Sequence, residues 1–165
     1  MVTGGQRSGK SVFAEGLALK MAERPVYLAT AIVADEDMRR RVAIHQERRR
    51  ERWRNIEEPL HLSATEIDPE DVVLIDCLTL WATNWFFSCD CDIDKALCNI
   101  KKEIRALNEK KATFIVVTNE IGLGGISENA IQRKFTDFQG LINQYVAEIS
   151  SDVYMSISGI PVKIK

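Results

Sequence analysis

An α/β fold, with a mainly parallel sheet and helices on both faces, is predicted by three features of this sequence. Short, β-branched apolar runs recur along it, of the kind that form strands buried on both sides. Stretches with helical periodicity separate them. The last residues read as two strands around Ser158-Gly159. Strand–helix alternation of this kind closes into one sheet covered by helices on both faces.

The elements follow in order. Met1-Val2-Thr3 is a very short first strand, so either that strand is short or residues are missing ahead of it. Ser11 to Ala22 is helical, with Val12, Phe13, Leu17, Leu19 and Met21 as its apolar residues. Val26 to Thr30, Val72 to Asp76 and Thr113 to Thr118 are the buried strands. Ile93 to Asn108 and Ile131 to Ile149 carry apolar residues at helical spacing. Pro161 assigns the final strand to a sheet edge, because proline gives no N–H to a ladder.

The chain has 165 residues, 45% hydrophobic and 28% charged, which fits one globular domain spanning residues 1–165. Its net charge of −2 gives no general field for nucleic acid or a membrane surface. No run of about 18 apolar residues is present, so no membrane span is expected. No signal peptide is visible, and a cytoplasmic protein is expected. Cys77, Cys89, Cys91 and Cys98 are then expected as reduced thiols. The spacing of the last three matches no standard zinc pattern, so no structural metal is expected.

Gly4-Gly5-Gln6-Arg7-Ser8-Gly9-Lys10-Ser11 fits the phosphate-loop pattern G-x-x-x-x-G-K-[ST] without a mismatch. Glycines let successive N–H groups turn inward onto phosphate oxygens, and the helix that follows adds its positive end. Lys10 is suited to the β- and γ-phosphates and Ser11 to Mg²⁺. Downstream, four apolar residues end in Asp76, a second candidate for Mg²⁺. The chain is thus read as a P-loop NTPase that binds a triphosphate.

Between Arg39 and Arg54 stand eight arginines, opposed only by Glu47 and Glu51. The segment reads as a helix polar nearly all round, hence not a core helix. On it Arg41, Arg48 and Arg49 share the face of His45. Imidazole among guanidinium groups is disfavoured from taking a proton and stays a nucleophile near neutral pH. The arginines offer forked donors for phosphate oxygens. The residues alone leave three readings open: a solvated charged face, a phosphate-handling helix with a nucleophilic histidine, and a nucleic-acid-binding helix.

With these pieces in place, the sequence resembles the bifunctional adenosylcobinamide kinase / adenosylcobinamide-phosphate guanylyltransferases of cobalamin biosynthesis. The resemblance runs over the whole chain. It rests on Val2 to Ser11, Tyr27 to Ala31, Asp37-Met38 with Arg41-Val42 and His45, and Trp53. It continues through Glu57-Glu58-Pro59, Asp76 to Trp81, Thr118 to Gly122, Phe135 to Gln144 and Gly159 to Lys163.

The resemblance implies a RecA-like sheet, a homotrimer and two reactions. ATP or GTP would phosphorylate adenosylcobinamide. GTP would then transfer GMP to adenosylcobinamide phosphate, releasing pyrophosphate, through a guanylylated His45. Lys10 would assist catalysis, and Gly4, Gly5, Gln6, Arg7, Ser8, Gly9, Lys10 and Ser11 would hold the phosphates. Ala29, Thr30, Ala31, Gln46, Glu47, Arg48, Arg49, Glu57 and Asp76 would contact the nucleotide. Asp76 would serve Mg²⁺, the ribose, or each in a different step. Mg²⁺ would accompany the nucleotide, and the partners would be these small molecules, not nucleic acid.

Two other functions stay open beside this one. One is a P-loop small-molecule kinase whose arginine helix clamps phosphate without a covalent intermediate. The other is a regulatory NTP-binding module. Trp81, Trp85, Phe86 and Phe87 are candidates for a corrinoid surface, with core or interface packing as the alternative.

Overall fold

The structure is a computed structural model that describes residues 1–32, 36, 39–40 and 50–165. Seven strands form one sheet in the order β3-β2-β4-β5-β1-β6-β7. They are β1 (Val2–Gly4), β2 (Val26–Ala29), β3 (Arg54–Glu57), β4 (Val72–Asp76), β5 (Thr113–Val117), β6 (Tyr154–Ile157) and β7 (Ile160–Lys163). All neighbours are parallel except the antiparallel pair β6–β7. This is the mainly parallel sheet with a C-terminal strand pair that the sequence predicts. Pro161 falls on the edge strand β7, as expected.

The described residues include the α-helices α1 (Lys10–Met21), α2 (Leu78–Ser88), α3 (Ile93–Glu109) and α4 (Ala130–Ile149), and residues 36, 39 and 40 are also helical. The strands β1, β2 and β4 are buried along most of their length, with alternate residues serving opposite faces, whereas the edge strands β3 and β7 are far more exposed. Val2, Tyr27, Leu74, Ile115 and Val117 pack with Ala14 and Ala18 of α1. Val26, Leu28, Val73 and Ile75 pack with Trp81, Phe86, Ile100, Ile104, Phe138 and Ile142 of the other three helices. Asp92 caps α3 by accepting from the Lys95 amide, and Asn129 caps α4 by accepting from the Ile131 and Gln132 amides.

Two expectations change. The segment read as a helix from Arg39 to Arg54 ends differently: Arg50–Arg52 is a 3-10 turn and Arg54 opens strand β3. The guanidinium of Arg54 pairs with Asp71 and donates to the Glu66 carbonyl (3.1 Å), holding that polar strand on the sheet. Trp81 and Phe86 are fully buried and Trp85 nearly so, in the core that α2 shares with α4. Core packing therefore accounts for three of the four aromatic candidates, and only Phe87 is exposed. The first strand spans Val2–Gly4 and is fully buried between β5 and β6.

Candidate active site

The C-terminal ends of the parallel strands form one functional edge. Across it Glu57, Ala29, Asp76 and Val117 stand in register on β3, β2, β4 and β5. β1 ends on the same edge and runs directly into the loop from Gly4 to Ser11. β1 and β5 are neighbours, yet their helices, α1 and α4, cover opposite faces. Chains that diverge in this way leave a crevice outside the strand ends, the usual place for a ligand in an open α/β sheet.

The loop is folded to receive an anion. Gly4, Arg7 and Gly9 adopt positive φ values of 149°, 58° and 89°, which turn successive amides inward. The helix begins at Lys10, so its free N–H groups face the same space. The Lys10 ammonium donates to the Gly5 carbonyl (3.0 Å) across the loop. Burial pulls Lys10 below the ordinary lysine range, against the opposing pull of Cys77 and Asp76. Among the described residues the buried Ser8 hydroxyl has no hydrogen-bond partner, an orphan that a phosphate oxygen would satisfy. Gln6 and Arg7 are exposed on the rim, and Ser11 is half-buried at the helix start.

A second layer fixes the loop from behind. The Ser156 hydroxyl (2.6 Å) and the Gly159 amide (2.9 Å) both donate to the Ser8 carbonyl. In a trans peptide the carbonyl and the next N–H point apart, so the Gly9 amide is held facing away from the hairpin. The approach is too close for side chains: a Cβ on Gly4 would lie 2.5 Å from the Ser156 carbonyl oxygen.

The remaining positions divide. The Asp76 carboxylate accepts from the Tyr27 hydroxyl (2.7 Å). The peptide between Asp76 and Cys77 is cis, and Thr30 spans it, donating from Oγ1 to the Cys77 carbonyl and accepting from the Cys77 amide. Burial first, and the neighbouring Asp76 charge second, push the Cys77 thiol from its ordinary 9 up to about 12. Thr30 is buried, Ala29 and Ala31 are half-buried, and Glu57 is exposed at the end of β3. His45, Gln46, Glu47, Arg48 and Arg49 lie outside the described residues. Hydroxyl and carboxylate oxygens at Ser11 and Asp76 are hard donors of the kind Mg²⁺ takes. Among the described residues no group of three or more His, Cys, Asp or Glu is placed to hold a metal ion.

Several residues at this edge carry contacts that the sequence did not assign, although Glu120 and Asn143 lie in stretches that bear the family resemblance. Glu120 follows β5, and its amide donates to the Gly4 carbonyl (3.3 Å). Its Oε1 accepts from the Thr3 hydroxyl (2.7 Å) and the Asn143 amide group (3.2 Å). Asn143 accepts in turn from Thr118 and Gln139, a buried network that ties α4 to the end of β5. Apart from that resemblance, the local sign is a run of polar residues, Thr118-Asn119-Glu120, straight after an apolar strand.

Comparison with known proteins agrees with this geometry. A family model described as cobinamide kinase / cobinamide phosphate guanyltransferase matches residues 1–164. The chain is 38% identical over 169 residues to the bifunctional adenosylcobalamin biosynthesis protein CobP of Pseudomonas aeruginosa, covering 100% of this chain and 96% of that protein. It is 36% identical over 179 residues to the bifunctional adenosylcobalamin biosynthesis protein CobU of Escherichia coli, covering 100% and 98%. With a phosphate loop at a two-sided parallel sheet and a full-length match of this kind, the chain belongs to the cobinamide kinase / cobinamide phosphate guanyltransferase family.

Proposed function

We propose that this protein phosphorylates adenosylcobinamide with ATP or GTP and then transfers GMP from GTP to the resulting phosphate. The observation that carries the reading is the loop itself: inward amides, an orphan Ser8 hydroxyl and Lys10 beside Asp76 on one sheet edge. The kinase step is γ-phosphoryl transfer to the hydroxyl of the aminopropanol arm. Gly4 to Ser11 bind the phosphates, and Lys10 offsets charge on them. Ser11 and Asp76 hold Mg²⁺, which neutralises phosphate charge when bound with the nucleotide. Ala29, Thr30, Ala31 and Glu57 line the nucleotide beside Asp76.

In the second step His45 attacks the α-phosphorus of GTP and pyrophosphate leaves. The phosphate of the corrinoid then takes GMP from His45, restoring the imidazole. Gln46, Glu47, Arg48 and Arg49 contact the nucleotide in this step. The arginine-rich composition of the segment supports the reading, since guanidinium forks suit a departing pyrophosphate.

Residues 1–165 act as one domain, in a homotrimer. The trimer is supported by the resemblance and by the exposed apolar residues Ile160 and Val162 on edge strand β7. A cytoplasmic setting is supported by four cysteines that all stand as free thiols. The reading is tested by incubating the protein with GTP labelled at the α-phosphate, denaturing it and measuring label on the chain. Acid-labile, alkali-stable label is expected, and His45→Ala abolishes it. Label that survives His45→Ala overturns the covalent step. A P-loop kinase without transferase activity would phosphorylate adenosylcobinamide yet never acquire label.

A further inference from the structure

We propose that Glu120 is the proton acceptor for the alcohol in the phosphoryl-transfer step. The inference rests on the kinase reading above. An alcohol that attacks phosphorus must lose its proton, and a group placed beside the loop has to take it. Among the carboxylates at this edge, Asp76 already accepts from the Tyr27 hydroxyl and is assigned to the nucleotide side.

Glu120 stands at the other side of the loop, in the crevice between β1 and β5 where their helices part. Its amide is tied to the Gly4 carbonyl, so the residue is fixed to the first residue of the loop. Its carboxylate is oriented through one oxygen only. Oε1 accepts from Thr3 and Asn143, two neutral donors. Oε2 has no hydrogen bond from any described residue and stays open for a substrate hydroxyl. No cation is paired with it among the described residues.

The segment that follows fits a bulky apolar substrate. Ile121–Gly124 forms a 3-10 turn, and Leu123 and Ile126 are 73% and 92% exposed. An alcohol whose hydroxyl meets Glu120 would lay its apolar body against these side chains. The hydroxyl proton moves to Glu120 Oε2 as its oxygen bonds to the γ-phosphorus. The bond from that phosphorus to the β–γ bridging oxygen breaks, and its electron pair leaves with the nucleoside diphosphate. After product release the carboxylic acid returns its proton to water.

The test is Glu120→Gln, which keeps an oxygen for Thr3 and Asn143 but replaces the basic oxygen with an amide nitrogen. Two labels are followed in the same preparation: γ-phosphate transferred to adenosylcobinamide, and α-phosphate of GTP retained on the protein. The expected result is a fall in kcat for phosphoryl transfer on the order of a hundredfold or more. KM for ATP stays within about threefold, and label on the protein persists. Phosphoryl transfer within about threefold of the parent overturns the proposal. So does joint loss of both labels with a lowered melting temperature, which assigns Glu120 to the scaffold alone. A parent protein that transfers no γ-phosphate refutes the kinase reading itself, and the role of Glu120 falls with it.

Discussion

Replacing Gly4 with alanine tests whether the loop depends on its close seat against β6. Gly4 has a φ of 149° and pairs in register with Ser156. An added Cβ would meet the Ser156 carbonyl oxygen at 2.5 Å and the Ser8 hydroxyl at 2.7 Å. The hydroxyl can rotate away, but the carbonyl belongs to a sheet strand. Overpacking of this kind costs about 1–3 kcal/mol. Forcing alanine into a glycine-favoured backbone region adds about 1–3 kcal/mol. A combined loss of about 2–6 kcal/mol lowers the melting temperature by roughly 5–20 °C for a chain of this size. GTP at about a hundred times its Kd stabilises the parent by about 2.7 kcal/mol, and the variant should lose most of that gain. The assay is a thermal melt with and without GTP. A variant that melts within about 2 °C of the parent and keeps the full GTP shift refutes the packing argument.

Three further outcomes follow from the same geometry. Lys10→Met should melt no lower than the parent without nucleotide at pH 7.5, and should lose the GTP-induced rise. Because the folded pKa of Lys10 is depressed, its burial cost is full below that pKa and fades as pH rises toward 10.5. Melts at rising pH should therefore bring the parent closer to the variant, and a variant that melts lower at pH 7.5 contradicts this. Cys77, pushed up to about 12, should resist iodoacetamide at pH 8 in the native protein while exposed Cys98 reacts, as read by mass spectrometry. Equal labelling of the two would refute its burial. Ser156→Ala leaves the Ser8 carbonyl with the Gly159 amide as its remaining donor, and should weaken GTP binding by roughly three- to tenfold, about one hydrogen bond's worth. Unchanged GTP affinity by calorimetry would show that Ser156 does not set the loop.

What the sequence made legible was local or periodic. The strands β4 and β5 were legible because their apolar runs, Val72 to Ile75 and Phe114 to Val117, are unbroken, as in strands covered by helices. The phosphate loop is contiguous and its glycines have fixed spacing, so eight residues sufficed to identify it. β3 was hidden because Arg54-Asn55-Ile56-Glu57 lies at the sheet edge and presents one apolar residue. α2 was hidden for the opposite reason. Leu78 to Ser88 is buried on several sides, which erases the polar face that reveals a helix, and its aromatics resembled a ligand surface. The contacts of Glu120 and Ser156 were hidden because their partners are remote: Thr3 is 117 residues from Glu120, and Ser8 is 148 from Ser156.

That remoteness says what kind of object the phosphate loop is. Three of its residues sit at positive φ, and Arg7 is not a glycine, so an isolated peptide would not hold the shape. The shape persists because each flank is fastened to a different neighbour of β1. On one side Glu120 binds Gly4 and Thr3 from the end of β5. On the other, Ser156 and Gly159 bind Ser8 from the β6–β7 hairpin. The two fastenings need not serve the same end. The hairpin acts on the amide turned toward the nucleotide, which both proposed reactions share. Glu120, as proposed, takes the proton of an attacking alcohol, which phosphoryl transfer requires and guanylylation of His45 does not. Weakening the hairpin should therefore depress both activities in proportion to GTP affinity, whereas Glu120→Gln should separate them. A Ser156→Ala variant that lost phosphoryl transfer but kept full guanylylation at matched GTP saturation would break this division.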